Sequence, residues 1–217
     1  MRNVLFCCLF LPLLLFCRSG AAQVPASQEA HHKVVFENEY VRILDGHVPA
    51  HDTTPAHVHS ANGVVVFLSA SPLAIQLAGG QPVISTVHPG DMRYVNYGDK
   101  PVTHIVWTDG PGELHFLVVE LKRNATGDRC AKMDGKGLQF QWKQKGVRAY
   151  EVDATGGGEV KLPGSGCGYF LIAVSGKMEA SSAGGNRELG PGEFGFFPAR
   201  GEVGIKGRGR GVLLELE

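Results

Sequence analysis

Three histidines in the first half of the chain have the spacing of a metal site. His57 and His59 lie two residues apart, and His104 lies in a later apolar segment. Side chains two apart on a β-strand point to the same face, so the pair can place two imidazoles side by side, and a neighbouring strand must supply a third ligand. Neutral imidazoles suit divalent Zn, Fe, Cu or Ni, with Mn as a further candidate, and leave positions for water or substrate. We therefore predict a metal site at His57, His59 and His104.

The other histidines are weaker candidates. All nine lie between residues 31 and 115. We expect His31, His32 and His88 to be solvated, because they lie near the start of the chain or in a turn. No catalytic acid or base can be identified. Four side chains are candidates to surround the site, as pocket lining or as partners of the ligands: His51, His115, Tyr94 and Trp107.

The segments that carry these residues are short, apolar or alternating, and rich in β-branched residues, and none has a long helical period. Glycine- and proline-bearing turns separate them, as expected for a sandwich or barrel with a buried face. The sequence therefore predicts an all-β fold. The predicted strands of the first half are 33–36, 40–44, 64–69, 73–77, 92–95, 103–107 and 114–121.

The second half repeats the order of the first. Ser69, Gly90 and Glu120 correspond to residues 175, 192 and 215, at similar offsets. Three matches in one order suggest a duplicated unit. The second unit has no histidine, so we expect only the first to keep a metal site.

The motifs around the histidines resemble those of the cupin superfamily. Residues 54–59 (TPAHVH) with the apolar stretch after them look like its first motif, and 89–104 look like its second. The resemblance implies two tandem cupin barrels, of the double-stranded β-helix or jelly-roll type. The expected organisation is a signal peptide over 1–22, a flexible linker over 23–30, an amino-terminal barrel with the histidine site over 31–123, a linker over 124–145 and a degenerate carboxy-terminal barrel over 146–217.

One motif position departs from the family. The glutamate expected after the histidine pair falls at Gly63 or Val64, neither of which can bind a metal through its side chain. The resemblance then implies a site of three histidines, as in the thiol and diketone dioxygenases of the superfamily. Losing the carboxylate weakens the binding of hard metals.

The first residues have the pattern of a secretory signal: a basic start, an apolar stretch and small residues up to Ala22. We expect cleavage there and a secreted or periplasmic protein. The mature chain keeps two cysteines, Cys130 and Cys167, which either form a disulfide or remain two buried thiols.

Two classes of function follow. One is a metal-dependent, dioxygenase-like enzyme acting on a small organic molecule. The alternative is a non-catalytic protein that binds a small ligand such as a sugar, or a structural bicupin whose strand edges pair in a homodimer. Lysine plus arginine equals aspartate plus glutamate at 21 each, so no net charge favours nucleic acid or a membrane surface as partner.

Overall fold

The computed structural model describes residues 23–123, 130, 132–164, 166–199 and 201–217, and the predicted signal peptide lies outside them. The described chain is nearly all β-structure, with one short 3-10 turn at Ala26–Gln28, so the all-β prediction is confirmed. Within the described residues no helix is long and apolar enough to cross a membrane. The strands are β1 (Val24–Pro25), β2 (His32–Glu37), β3 (Val41–Val48), β4 (His57–His59), β5 (Asn62–Phe67), β6 (Ser71–Leu77), β7 (Val83–Val87), β8 (Met92–Asn96), β9 (Val102–Trp107), β10 (Leu114–Leu121), β11 (Leu138–Gln144), β12 (Val147–Asp153), β13 (Val160–Leu162), β14 (Gly168–Ser182), β15 (Gly185–Leu189), β16 (Phe194–Phe197) and β17 (Val203–Leu216).

Two five-stranded sheets form the first jelly-roll-like barrel. Their strand orders are β1-β4-β9-β6-β7 and β2-β3-β10-β5-β8. Apolar side chains from both sheets fill the space between them, because alternate residues of each strand point inward. The buried members of this core are Ala26, Leu44, Val48, Phe67, Leu73, Val87, Val106, Leu114, Phe116 and Val118.

The second barrel is built on a seven-stranded sheet. Five of its strands are paired in the order β11-β12-β17-β14-β15, while β13 pairs with β17 and β16 with β14. This barrel has its own core, which includes Tyr150, Tyr169 and Met178. A further apolar cluster joins the two barrels. It combines Ile43 and Val119 of the first with Phe170 and Leu214 of the second, among others. The outward faces of β3, β5 and β10 are therefore apolar because they pack on the other barrel.

The two barrels repeat one turn in hydrogen-bonding detail. In 88–91 the Gly90 amide donates to the Phe67 carbonyl, and in 190–193 the Gly192 amide donates to the Ala173 carbonyl, each at 2.8 Å. Both glycines have a left-handed backbone, with φ of 94° and 82°, a conformation that other residues rarely adopt. Gly90 and Gly192, which correspond in the predicted repeat, thus also have the same turn geometry.

Two predicted boundaries differ from the structure. The interval 23–30, predicted as a flexible linker, contains β1 and the 3-10 turn, because β1 pairs in parallel with β4 and Ala26 enters the core. The predicted linker over 124–145 contains β11, which pairs with β12. Polar composition suggested linkers at both places, but each segment forms an edge strand, which tolerates polar residues.

Cys130 and Cys167 form a disulfide, which decides between the two alternatives that the sequence left open. Their Cα atoms lie 6.3 Å apart, within the range of disulfides. Cys167 directly precedes β14. The bond therefore ties the segment before β11 to the central sheet of the second barrel.

Candidate metal centre

The register between β4 and β9 brings the three predicted histidines together. His57 lies directly opposite His104, and His59 lies two residues further along the same face of β4. The Nε2 atoms of His57 and His104 are 3.1 Å apart, and the His59 ring centroid lies 5.0 Å from that of His104. All three side chains are buried.

A fourth imidazole completes the cluster. His32 of β2 enters from the opposite sheet, and its ring centroid lies 4.7 Å from that of His57 and 5.5 Å from that of His59. Ligand atoms of His32, His57 and His59 all lie within 4.8 Å of one another. The expectation that His32 is solvated is wrong, since only 4% of the residue is exposed.

Glu29 supplies a buried carboxylate behind His32. Its Oε2 lies 2.6 Å from His32 Nδ1, and its Oε1 lies 2.7 Å from His31 Nδ1. Burial alone would raise the pKa of Glu29, but the hydrogen bonds from His31 and His32 outweigh burial and lower it. The sequence prediction missed Glu29, because its only signal was a Glu-x-x-His spacing that a tight turn closes, with the His32 amide donating to the Glu29 carbonyl.

The hydrogen bonds fix which ring nitrogens are free. His57 Nδ1 lies 2.8 Å from the Pro55 carbonyl, which can only accept, so Nδ1 carries the proton. An ionised Glu29 likewise accepts from His32 Nδ1. The Nε2 atoms of His32 and His57 therefore keep their lone pairs.

Burial also keeps the cluster neutral. Loss of solvation, reinforced by the neighbouring imidazoles, lowers the pKa of His59 to about 2 and that of His104 to about 4. Burial is also the largest cause that lowers the pKa of His32 and His57. All four rings can thus offer unprotonated nitrogens at neutral pH.

These residues fit a divalent transition metal. Ligand atoms about 2.1 Å from one ion lie roughly 3.0–3.4 Å from each other, and the two Nε2 atoms of His57 and His104 are 3.1 Å apart. His104 Nδ1 is buried without a hydrogen-bond partner, so the protein alone leaves this ring incompletely satisfied. Glu29 behind His32 has the place of the carboxylate that usually orients a metal-binding histidine.

The cluster borders a cavity of about 230 Å³ inside the first barrel. Most of its wall is apolar, including Phe67, Ile75 and Phe116, and the polar part includes the histidines together with Tyr97 and Arg93. The Tyr97 ring centroid lies 5.8 Å from that of His59. The cavity thus joins a polar end at the imidazoles to an apolar body.

The other four candidates lie elsewhere or reach the cavity only in part. Tyr94 borders the cavity, but its ring packs on Trp142 of the second barrel. Trp107 bonds Asp109 through its indole nitrogen, and His51 is exposed in a turn with a φ of 62°. His115 points to the outer face of β10, where it bonds Asp45.

The position of the missing glutamate has no room for a side chain. A Cβ built on Gly63 would lie 2.6 Å from the Val119 carbonyl oxygen, because β5 pairs closely with β10. In the described residues, the carboxylate nearest the imidazoles is that of Glu29. It hydrogen-bonds His32 and does not take the place of the missing glutamate ligand.

No protein-family model matches the chain, and no curated protein matches it. Solved structures do resemble it. AerE from Microcystis aeruginosa is 11% identical, with a TM-score of 0.63 over 87% of this chain and 98% of its own. A Cupin 2 conserved barrel domain protein from Leptotrichia buccalis is 9% identical, with a TM-score of 0.54 over 86% and 88%.

A variant of salicylate 1,2-dioxygenase from Pseudoaminobacter salicylatoxidans, solved with gentisate, is 10% identical, with a TM-score of 0.61 over 88% of this chain and 75% of its own. Identities this low carry information on the fold alone. The barrels, their strand pairing and these likenesses agree with the resemblance found in the motifs, and the chain has the fold of the cupin superfamily.

Proposed function

We propose that this protein is a metal-dependent, dioxygenase-like enzyme that acts on a small organic molecule in the cavity of the first barrel. The observation that carries the proposal is the convergence of four buried, neutral imidazoles, of which His32, His59 and His104 line that cavity. Such a donor set suits zinc, iron, copper or nickel. A dioxygenase of the same fold with bound gentisate supports the choice of reaction class.

His32, His57, His59 and His104 would hold the ion, and Glu29 would orient His32 through Nδ1. When bound, a divalent metal would supply Lewis-acid or redox chemistry at the cavity wall. The apolar wall excludes bulk water, which strengthens electrostatic interactions inside the cavity. Burial raises the pKa of Tyr97, so its hydroxyl stays protonated and can donate a hydrogen bond to a substrate.

The cavity indicates a substrate with a single ring or similar size. Its volume of about 230 Å³ lies between the about 150 Å³ of a cavity that binds benzene and the about 300 Å³ of the smallest drug-sized pockets. Arg93 places a positive charge at the wall, with its guanidinium carbon 5.2 Å from the centroid of the Phe67 ring. We therefore propose an apolar or aromatic substrate that carries an acidic group.

The test is the metal content of protein purified without chelator. We expect about one ion per chain bound in the first barrel, lost in His57→Ala and His104→Ala and kept in His88→Ala, an exposed control. Oxygen uptake with hydroxybenzoates, phenols, diketones and thiols then tests the activity. Metal content unaffected by His57→Ala would contradict the proposal.

Non-catalytic binding of a small ligand is the second candidate. The closed position at Gly63 favours it, because the family's carboxylate ligand has no place there. A metal-loaded protein that binds an aromatic acid, loses that binding in Arg93→Met and consumes no oxygen across the panel would support this alternative.

We also propose that the protein is exported to the periplasm or beyond the cell. The leader pattern ending near Ala22 supports export, and so does the disulfide, since such bonds persist mainly in oxidising compartments. Mass spectrometry of the protein recovered from its native host would test this. An intact leader with both cysteines reduced would argue against export.

A further inference from the structure

A second group of metal-ligand side chains lies on the outer face of the first barrel. Asp45 and His47 lie two apart on β3, and His115 lies directly opposite His47 on β10. Their ligand atoms lie within 4.8 Å of one another. Along β3 and β10 these three residues alternate with residues that point into the barrel core, so their side chains point outward. They lie on the same face as the apolar residues that pack on the second barrel.

His47 lies between two carboxylates, a hydrogen-bond partner on one side and an ion-pair contact on the other. His47 Nδ1 lies 3.0 Å from Glu113 Oε1, and its Nε2 lies 3.3 Å from Asp45 Oδ1. Because Glu113 accepts from Nδ1, a neutral His47 carries its proton there and presents an unprotonated Nε2 to Asp45. The unprotonated Nε2 and Asp45 Oδ1 are then two acceptors that face each other, and a cation between them would stabilise both.

The geometry and charge favour a metal. Asp45 Oδ1 is also 2.9 Å from His115 Nε2, so two imidazole nitrogens converge on one carboxylate oxygen. Ligands of a tetrahedral zinc lie roughly 3.3 Å apart, close to both distances. With Glu113, the group has two carboxylates and two imidazoles, so its net charge is negative when the imidazoles are neutral. Asp45 forms its ion pairs with the two histidines rather than with Lys33, which lies opposite it on β2.

We propose that Asp45, His47 and His115 form a surface site for a divalent transition metal such as zinc. Glu113 orients His47 through Nδ1, as carboxylates do behind metal-binding histidines. On binding, the His115 proton moves from Nε2 to Nδ1 through water, so that both Nε2 atoms can face the ion. The site lies near the second barrel, since a Cβ built on Gly192 would lie 3.5 Å from His115 Cε1.

Histidine modification tests this site separately from the buried centre. Diethyl pyrocarbonate reacts with accessible imidazoles, and the side chains of His47, His115 and His88 are 44%, 26% and 67% exposed. We expect micromolar zinc to lower the modification of His47 and His115 several-fold and in parallel, measured by peptide mass spectrometry on the whole protein. His88 should be unaffected, and magnesium, which prefers oxygen ligands, should protect none of them.

Variants sharpen the test. Asp45→Asn should abolish the zinc protection of both rings, and Glu113→Gln should raise the zinc concentration needed for it by about 10-fold. The zinc protection measured on the protein without substitutions remains a valid test even if a variant folds poorly. Unchanged reactivity with zinc, protection of one ring alone, or equal protection by magnesium would overturn the site. None of these outcomes depends on a metal at the buried cluster, whose rings are shielded from the reagent.

Discussion

At the scale of single residues, the candidate centre depends on which hydrogen-bond partner each ring has. His57 and His32 are held through Nδ1 by Pro55 and Glu29, which leaves their Nε2 atoms free. Among the described residues, Glu29 is the only carboxylate that hydrogen-bonds a ring of this cluster. Metal affinity should therefore depend on a residue that does not itself contact the metal.

Glu29→Gln tests this role, because it keeps the shape of the side chain and removes its charge. We expect metal affinity to fall by about 10- to 100-fold, as is typical when the partner of a metal-binding histidine is changed. Competition with a chromophoric chelator measures it. Glu188→Gln, on an exposed strand of the second barrel, is the matched control and should not change affinity. Equal affinity of Glu29→Gln and the unmodified chain would refute the role.

Gly63 provides a second test at residue scale. Gly63→Ala should destabilise the protein by about 1–3 kcal/mol, because its Cβ would lie 2.6 Å from the Val119 carbonyl oxygen. Gly158→Ala, where a Cβ meets nothing within 4 Å, should leave the free energy of unfolding nearly unchanged. Urea titrations measure both. A stability for Gly63→Ala at or above that of the unmodified chain would show that this position can accept a side chain.

At the scale of strands, much of the first barrel could be predicted from sequence. The predicted strand 114–121 matches β10, whose residues are nearly all buried on both faces, and 103–107 and 92–95 match β9 and β8 within one residue. β7 was missed because it is largely exposed and therefore carries no apolar pattern. His32 was missed because a bulge in β2 breaks the alternation that would have marked its inward face.

Each barrel has an ion pair between an arginine and a glutamate that lie opposite each other on neighbouring strands. We expect the two ion pairs to differ in their effect on stability. Arg148 and Glu215 are both buried, whereas Arg42, which pairs with Glu120, is partly exposed. Arg148→Met should cost about 3–5 kcal/mol, since it leaves the Glu215 charge buried without its guanidinium. Arg42→Met should cost less, about 1–3 kcal/mol, because the guanidinium is partly exposed while Glu120 is buried. Thermal or urea unfolding compares them, and equal losses would contradict the burial difference.

At the scale of the whole molecule, the candidate metal centre lies in one of two similar barrels. The second barrel has the same turn geometry but no histidine, and it packs on the first through a shared apolar cluster. The first barrel has four imidazoles in its interior, and a neutral ring is required at each position. The stability of the whole protein should therefore depend on pH through this cluster.

Metal-free protein should lose stability as the pH falls from about 6.5 to 4. In the folded state the pKa values of His59 and His104 are about 2 and 4, below the about 6.5 of an unfolded chain. The unfolded state then binds more protons, so each such ring removes up to about 1.4 kcal/mol per pH unit. His104→Phe should flatten this slope in urea titrations at several pH values. The same slope in both proteins would contradict the buried neutral cluster.

The most direct test of a metal centre in the first barrel is X-ray absorption at the edge of the metal that copurifies with the protein. His115→Ala is the protein to use, so that the outer group of Asp45 and His47 contributes no signal. We expect three or four imidazole nitrogens at about 2.0–2.2 Å, with the multiple scattering of histidine rings. A shell of oxygen atoms alone, or protein without metal, would contradict the account.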